Sequence, residues 1–176
     1  MPRIAYAQEG QEAPGAAPVY REFKERFGRV TNLMKLLGHS GPATQALGAI
    51  LRVYFAELSL SPRLREIAYL TAARYNGCQY CQAHHTRLAK RAGLDDSEIA
   101  LLGAEGFGSE KLPEAERAIV RFAYETTRDV LASDEAVEAL KRHFEPPEVA
   151  EIAFVVAAAN FIQRIGRNFG AELEKA

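Results

Sequence analysis

Apolar side chains recur every three or four residues along most of the chain beyond residue 17, which is the spacing of one face of an α-helix. Tyr20, Phe23, Phe27 and Val30 follow this spacing, with Arg, Lys and Glu between them. No segment shows a convincing alternation of apolar and polar residues, the pattern that indicates a β-strand. The sequence therefore predicts an all-α protein. The further predicted helices cover residues 42–58, 62–75, 78–93, 95–102, 113–131, 134–143 and 147–170.

Two local signals set the boundaries in the middle of the chain. Ser61 stands directly before Pro62, and a serine cap followed by proline in the first turn is typical of a helix start. Asn76 and Gly77 form a turn signal. We therefore expect the helix from Pro62 to end there and a new one to start at Cys78.

The length of 176 residues suits one domain with its own core. Residues 1–16 lack helical periodicity and are predicted to be a loose N-terminal extension, and residues 17–176 to be a single domain. The composition is 48% hydrophobic and 26% charged, with a net charge of −1. A nucleic-acid binder would show a basic stripe, so we expect no nucleic-acid partner.

The sequence gives no sign of a membrane or an export route. No apolar run approaches the length needed to span a bilayer. The N-terminus, which carries Glu9 and Glu12, lacks the apolar centre of a signal peptide. We therefore expect a cytoplasmic protein with no membrane partner. In that compartment, two cysteines three residues apart more often indicate catalysis or metal binding than a structural disulfide.

One stretch of the chain resembles another. Shifted by 85 residues, positions 61–75 match positions 146–160 at six of fifteen residues. The fold is therefore predicted either to contain a duplicated helical pair or to use two similar Ala-rich buried helices. In this alignment Glu66 corresponds to Glu151. Cys78, Cys81 and His85 correspond to Gln163, Gly166 and Gly170, so the second copy would keep the scaffold without the chemistry.

Both cysteines fall at the start of one predicted helix. At 100° per residue, Cys78, Cys81 and His85 lie within about 60° of one another, whereas His84 lies about 100° from His85. Cys78 is at the helix start, where the unpaired N–H groups and the helix dipole favour a thiolate. Cys81 also lies in the first turn, so the same N–H groups and helix dipole act on its thiol.

Glu66 is the second element of the predicted site. Its helix is apolar nearly all round from Ile67 to Ala73, so the carboxylate needs a partner. If the break at Asn76 folds the two helices into a hairpin, Glu66 lies ten residues before it and His85 eight after, so that they come nearly level. The order of groups is then carboxylate, imidazole and thiol, a base beside a nucleophile.

The residues alone leave three interpretations open. Redox chemistry of the C-x-x-C pair is one, and zinc binding by Cys, Cys, His and Glu is the second. Helix packing by inert cysteines is the third. The first-turn C-x-x-C favours a dithiol/disulfide couple, because structural zinc ligands usually lie on loops or knuckles.

The pattern E-x11-C-x-x-C-x-x-x-H, formed by Glu66, Cys78, Cys81 and His85, resembles the signature of the alkylhydroperoxidase D (AhpD) family within the carboxymuconolactone decarboxylase superfamily. The segments MPRI, RFGRVTNLMKLLGHSGP and EIAFVVAAANFIQRI resemble the peroxidase-related branch, so the resemblance spans most of the chain. It implies an AhpD-like helical bundle that assembles as a homo-oligomer, a trimer or hexamer.

The resemblance also implies thiol-based reduction of hydroperoxides. Cys81 would be the peroxidatic cysteine and Cys78 the resolving one, with Glu66 and His85 as the proton relay. No cofactor or metal is implied, and the partners are the hydroperoxide and an external thiol or dithiol reductant protein. Tyr80 stands where AhpD itself has a further histidine; it can hydrogen-bond but cannot act as a base near neutral pH. A generic thiol peroxidase or disulfide reductase fits better than full AhpD activity with a lipoyl-bearing partner.

Two other functions stay open. Lactone decarboxylation, the other activity of the superfamily, needs acid and base groups but no dithiol. A non-catalytic zinc-binding or redox-sensing module would use the same residues as ligands or as a switch.

Overall fold

The computed structural model describes residues 1–174, and this part of the chain is all-α, with nine α-helices and no β-strand. A π-helical turn (Val53–Glu57) follows the third helix, and a 3₁₀ turn (Ala104–Gly106) follows the sixth. The helices are α1 (Ala17–Phe27), α2 (Asn32–Leu37), α3 (Gly41–Arg52), α4 (Pro62–Tyr75), α5 (Gln79–Arg91), α6 (Asp96–Ala100), α7 (Glu114–Asp129), α8 (Asp134–His143) and α9 (Pro146–Phe169).

Most predicted helices are present with ends shifted by a few residues. The first one stops at Gly28, whose φ of 76° closes α1, so Val30 lies outside it. The predicted run 42–58 is α-helical only to Arg52. There the N–H of Val53 is shared between two carbonyls of the preceding turn, and the backbone widens into the π-helical turn. α2 was not predicted separately.

The chain divides into two compact units. The first contains residues 1–57 and the C-terminal residues from Arg164 onward, and the second contains residues 58–163. The boundaries of compact units within a chain do not decide how many domains it has, so the single domain over 17–176 stays a prediction. Its last two positions, 175–176, lie outside the described residues.

The N-terminal segment is not loose within the first unit. Residues 1–16 form no helix, as expected of an extension, but their backbone is bonded to the rest of the unit. Ala7 N–H donates to the Lys35 carbonyl at 3.0 Å, and Ala13 N–H donates to the Gly38 carbonyl at 2.8 Å. Ala16 has no exposed surface. The N-terminal backbone therefore has hydrogen-bond partners, which the helical periodicity of the sequence could not predict.

The second unit holds the helices that carry the candidate site. α4 packs against both α5 and α7, and α7 packs against α8. The interior is made of large aliphatic side chains with less than 2% exposure, from several elements: Ile67, Leu70, Leu102, Leu112, Ile119, Val120, Leu140 and Ile152. Burial of this size stabilises a domain by roughly 1.5–3 kcal/mol per large side chain.

α9 corrects the expectation about apolar runs. Within residues 1–174 it is the one helix that could cross a bilayer by length and composition, with a mean hydropathy of 1.4 over its most apolar 18-residue stretch. Of that stretch, 44% is buried inside the protein, and the core helix of a soluble protein passes the same test. Length and composition therefore do not make α9 a membrane span.

The two similar segments of the sequence are both helical, in α4 and at the start of α9. Their carboxylates have different partners. Glu151 Oε1 accepts from the N–H of Ser59 at 3.0 Å and from its hydroxyl at 3.1 Å, and Oε2 accepts from the N–H of Leu60 at 2.7 Å. α9 also continues without a break where α4 ends. Whether the similarity reflects a duplication stays a prediction.

Partial burial raises the pKa of Glu151, but the bonds from Ser59 and Leu60 outweigh it and leave the pKa below its ordinary value of 4.5. A depressed folded-state pKa means that the carboxylate adds stability above the unfolded value and that this stability is lost as pH falls through the folded value. We expect Glu151→Gln to lower the free energy of unfolding by about 1–2 kcal/mol at pH 7. Urea unfolding measures it, and the difference should vanish in acid. The exposed Glu110→Gln is the control; an equal loss there would contradict the assignment.

A second local feature is strain at the end of α7. Val130 has a φ of 69°, in the left-handed region that a β-branched residue rarely adopts. Its side chain is 84% exposed, so packing offsets little of the steric cost of this conformation. The backbone here has the left-handed conformation of a helix C-cap, a position that glycine usually occupies.

We expect Val130→Gly to raise the free energy of unfolding by about 1 kcal/mol, because glycine removes the steric cost of the positive φ. Thermal and urea unfolding measure the change. Leu131→Gly is the matched control, since Leu131 is 79% exposed and has no positive φ. It should be neutral or destabilising because of the added freedom of the unfolded chain. Equal effects of the two substitutions would show that strain at Val130 is not the cause.

Candidate active site

α4 begins as the sequence predicts. Ser61 is its N-cap, and the hydroxyl accepts from the backbone N–H of Leu64 at 3.4 Å. Pro62 occupies the first turn, where its missing N–H removes no helical hydrogen bond. The helix then presents Glu66 and Tyr69 three residues apart, so their side chains leave the same face.

The turn between α4 and α5 is closed by backbone bonds. Gly77 has a φ of 62°, which glycine adopts without the steric cost that a side chain would add. Cys78 N–H then donates to the carbonyl of Ala73 at 3.0 Å, and Asn76 N–H donates to the carbonyl of Ala72 at 2.9 Å. α5 folds back along α4, which confirms the predicted helical hairpin.

The two cysteines lie together at the start of α5. Cys78 is the N-cap, and its Sγ accepts from the N–H of Cys81 at 3.3 Å. The structure joins the two as a disulfide, with Cα atoms 5.3 Å apart. Both are buried, with 1% and 2% exposure. An N–H directed at sulfur favours the anionic form, so the helix start stabilises a thiolate at Cys78 once the pair is reduced.

Glu66 and His85 meet across the hairpin. Glu66 Oε2 lies 2.7 Å from Nδ1 of His85, and the two residues are 4% and 8% exposed. The contact that helix geometry predicted from their distances to the turn is therefore present. The carboxylate contacts the ring through Nδ1 and so fixes the orientation of the imidazole. Cys81 precedes His85 by four residues on α5 and shares its face.

Tyr69 is a site residue that sequence reasoning missed. Its ring stacks on that of His85, with centroids 3.5 Å apart and planes at 13°. Burial raises the pKa of Tyr69, the charge of Glu66 raises it further, and a hydrogen bond with Gln163 opposes them. The hydroxyl therefore stays protonated at neutral pH. The spacing of three from Glu66 was the signal in the sequence that could have placed this ring in the site.

Tyr80 and His84 form a separate contact on α5. Tyr80 is 9% exposed, and its ring centroid lies 4.6 Å from that of His84. The structure thus puts His84 beside Tyr80, while the Glu66 carboxylate binds His85. This agrees with the helical-wheel expectation that His84 does not share the face of His85.

The arrangement suits acid–base and thiol chemistry. A sulfur pair and an imidazole held by a carboxylate are shielded from water within one hairpin of the second unit. Across residues 1–174 no group of three or more His, Cys, Asp or Glu side chains is arranged to hold a metal ion.

The sequence profile of the Carboxymuconolactone decarboxylase family matches residues 44–125. This stretch contains all four residues of the predicted signature, from Glu66 to His85. No curated protein sequence matches the chain.

Solved structures share the fold over nearly the whole chain. A cysteine-to-alanine variant of the debrominase Bmp8, in complex with 2,3,4-tribromopyrrole, superposes with a TM-score of 0.80 at 22% identity, covering 97% of this chain and 91% of that one. A peroxidase-related protein with an alkylhydroperoxidase AhpD core from Ralstonia eutropha JMP134 gives 0.76 at 20% identity, covering 99% and 93%.

A third structure is more similar in sequence. It is a protein of unknown function from Agrobacterium tumefaciens, with a suggested role as the antioxidant defence protein AhpD. Its TM-score is 0.72 at 26% identity, covering 80% of this chain and 96% of that one. The chain is therefore similar to the carboxymuconolactone decarboxylase family over residues 44–125, and it resembles this AhpD-like protein over most of its length.

Proposed function

We propose that the protein is a thiol-dependent hydroperoxidase. The observation that carries this proposal is the joining of two features in one hairpin: a C-x-x-C pair at a helix start and a buried Glu66–His85 pair on the same face. Thiol peroxidase chemistry needs a thiolate, a second thiol and a proton donor for the leaving alkoxide. The hairpin supplies all three.

In the first step, the Cys81 thiolate attacks the outer oxygen of a hydroperoxide. A sulfur–oxygen bond forms and the O–O bond breaks, which oxidises Cys81 to a sulfenic acid and reduces the hydroperoxide to an alcohol. His85 gives the departing alkoxide its proton, and Glu66 stabilises the imidazolium that precedes this transfer.

In the second step, Cys78 attacks the sulfur of the sulfenic acid. The disulfide forms, and hydroxide leaves as water with the proton that Cys78 gives up. The sum is one hydroperoxide and two thiols converted to one alcohol, one water and one disulfide. The disulfide in the structure corresponds to this oxidised product.

An external thiol or dithiol reductant then resets the pair. A thiolate of the reductant attacks Cys81, and Cys78 leaves as the thiolate that the N–H of Cys81 stabilises. Because both sulfurs are buried, the reductant reaches them only after a movement of the surrounding residues. We further propose a cytoplasmic homo-oligomer, a trimer or hexamer, and no cofactor.

We expect Cys81→Ser to abolish hydroperoxide consumption, with a loss on the order of 10³-fold or more, because the nucleophile is gone. The assay follows peroxide disappearance with dithiothreitol as reductant. Cys78→Ser, reduced beforehand and assayed without added reductant, is the matched control: it should consume one equivalent of peroxide per chain and then stop, with a sulfenic acid on Cys81 that dimedone traps. In the wild type, mass mapping should show both free thiols converted to the Cys78–Cys81 disulfide.

Full-rate consumption by Cys81→Ser would show that Cys81 is not the peroxidatic residue. One zinc ion per chain in protein purified without chelator, with no peroxide consumption, would favour the metal-binding alternative. Lactone decarboxylation that survives in both cysteine variants would favour the lyase alternative, since that reaction uses no dithiol.

We expect Glu66→Gln to slow peroxide consumption by about 10²-fold while the chain stays folded, because the amide no longer stabilises an imidazolium at His85. Steady-state rates and thermal unfolding measure the two effects. Glu151→Gln is the matched control from the similar segment: it should reduce stability and keep the rate. A Glu66→Gln variant that unfolds, or that turns over at the wild-type rate, would make Glu66 a structural carboxylate.

Reductive debromination is a second candidate, favoured by the fold shared with Bmp8 over 97% of this chain. A dithiol can do this chemistry: one thiolate takes bromine from the ring carbon, a proton replaces it, and the second thiol forms the disulfide as bromide leaves. Incubating the reduced protein with 2,3,4-tribromopyrrole tests it. Bromide release equal to disulfide formation would support this activity, and disulfide formation only with hydroperoxides would exclude it.

A further inference from the structure

Gln163 is a fully buried polar residue in an apolar helix. It lies on α9 with 1% exposure, among the largest side chains that the protein encloses. A buried amide that lacks hydrogen bonds costs about 1–3 kcal/mol, so the partners of Gln163 are important for the fold around it. All of the partners described below belong to the second unit.

The amide of Gln163 contacts the end of α4. Its Oε1 accepts from Nδ2 of Asn76 at 2.6 Å. With the amide turned over, it donates to the Ala72 carbonyl at 3.2 Å and accepts from the Ala73 N–H at 3.3 Å. The bond from Asn76 to Oε1 belongs to the first orientation, and the bonds to Ala72 and Ala73 belong to the second. Each orientation holds Gln163 against the residues that precede the C-x-x-C pair.

Asn76 has a second anchor on the same helix. Its Nδ2 also donates to Oδ1 of Asn160 at 2.9 Å, and Asn160 in turn donates to the hydroxyl of Thr127 on α7 at 3.0 Å. Gln163 also bonds the Tyr69 hydroxyl, and the Tyr69 ring stacks on His85. A partly buried polar network therefore reaches from α7 and α9 to the turn before Cys78, and ring stacking by Tyr69 connects it to the imidazole.

We propose that Gln163 is a positioning residue for the cysteine pair, and that it acts through Asn76 by fixing the turn from which Cys78 starts α5. It touches neither sulfur in this role. In the disulfide form, the short ring of the C-x-x-C already restrains the turn. In the dithiol form, the anchor on Asn76 keeps the backbone at Cys78 in place.

The anchor has a predictable effect on the redox equilibrium. Without it, the dithiol form gains conformational freedom that the cross-linked form does not. The effective concentration of one thiol at the other then falls, which favours the reduced state. Gln163 is the residue that corresponds to Cys78 in the similar segment. It carries no thiol and instead holds the turn that precedes the cysteine pair.

The test is the thiol–disulfide equilibrium of Gln163→Met in glutathione redox buffers at pH 7. Methionine keeps the length of the side chain and removes both polar atoms. We expect the equilibrium constant to shift about tenfold toward the dithiol, which is about 30 mV for this two-electron couple. Alkylation and mass spectrometry give the reduced fraction, and circular dichroism confirms the fold. Asn76→Ala, at a half-exposed position, should shift the equilibrium in the same direction.

Two further variants separate positioning from general destabilisation. Ile152→Val shortens a buried side chain on the same helix, and it should lower stability without moving the equilibrium. The double variant Asn76→Ala/Gln163→Met should shift no further than Asn76→Ala alone, because Gln163 acts on the turn through the Asn76 side chain that this change already removes. An unmoved equilibrium in the folded single variants, or additive shifts in the double variant, would overturn the proposal.

The proposal rests on the dithiol chemistry proposed above, but the measurement needs no hydroperoxide. A wild-type chain that cycles between dithiol and disulfide without consuming peroxide would reject the peroxidase and still test Gln163. A wild-type chain that forms no disulfide in any glutathione buffer would overturn both.

Discussion

The bond between Glu66 and His85 is the interaction on which the site depends. A carboxylate with 4% exposure is costly in the interior unless a donor compensates it, and the donor lies nineteen residues further along the chain. Only a hairpin of the observed register brings the two level. The same register sets the direction of α5, and with it the position of the sulfur pair one turn before His85. One contact therefore compensates the buried carboxylate and also fixes the orientation of the imidazole.

Much of this could be predicted because it depends on local rules. The serine cap and proline at the start of α4, the Asn76-Gly77 break and the helical face shared by the cysteines and His85 all follow from residue type and spacing. The pairing of Glu66 with His85 needed only one assumption, that the break makes a hairpin. Each of these features lies within about twenty residues of sequence, where helix geometry alone relates positions.

The remaining parts involve contacts that no local pattern encodes. Gln163 lies 87 residues from Asn76, and a glutamine within an apolar run gives no sign of its partner. The stacking of Tyr69 on His85 was hidden because an aromatic residue on a buried helix is usually core filling. The fixed path of residues 1–16 depends on backbone bonds, which side-chain patterns do not show. Glu66 and Glu151 correspond to each other in the sequence comparison. Only their hydrogen-bond partners in the structure distinguish them.

The sulfur of Cys78 has two duties, since it is both half of the cysteine pair and the acceptor that caps α5. A substitution at this position therefore changes the helix start together with the thiol, unless the new side chain can still accept the N–H of Cys81. Serine can do so and alanine cannot, so loss of activity in Cys78→Ala would combine a missing thiol with a frayed helix. Disulfide formation keeps this cap, since the sulfur still accepts from the N–H of Cys81 in the oxidised structure, whereas a modification that removes the acceptor would loosen the first turn of α5.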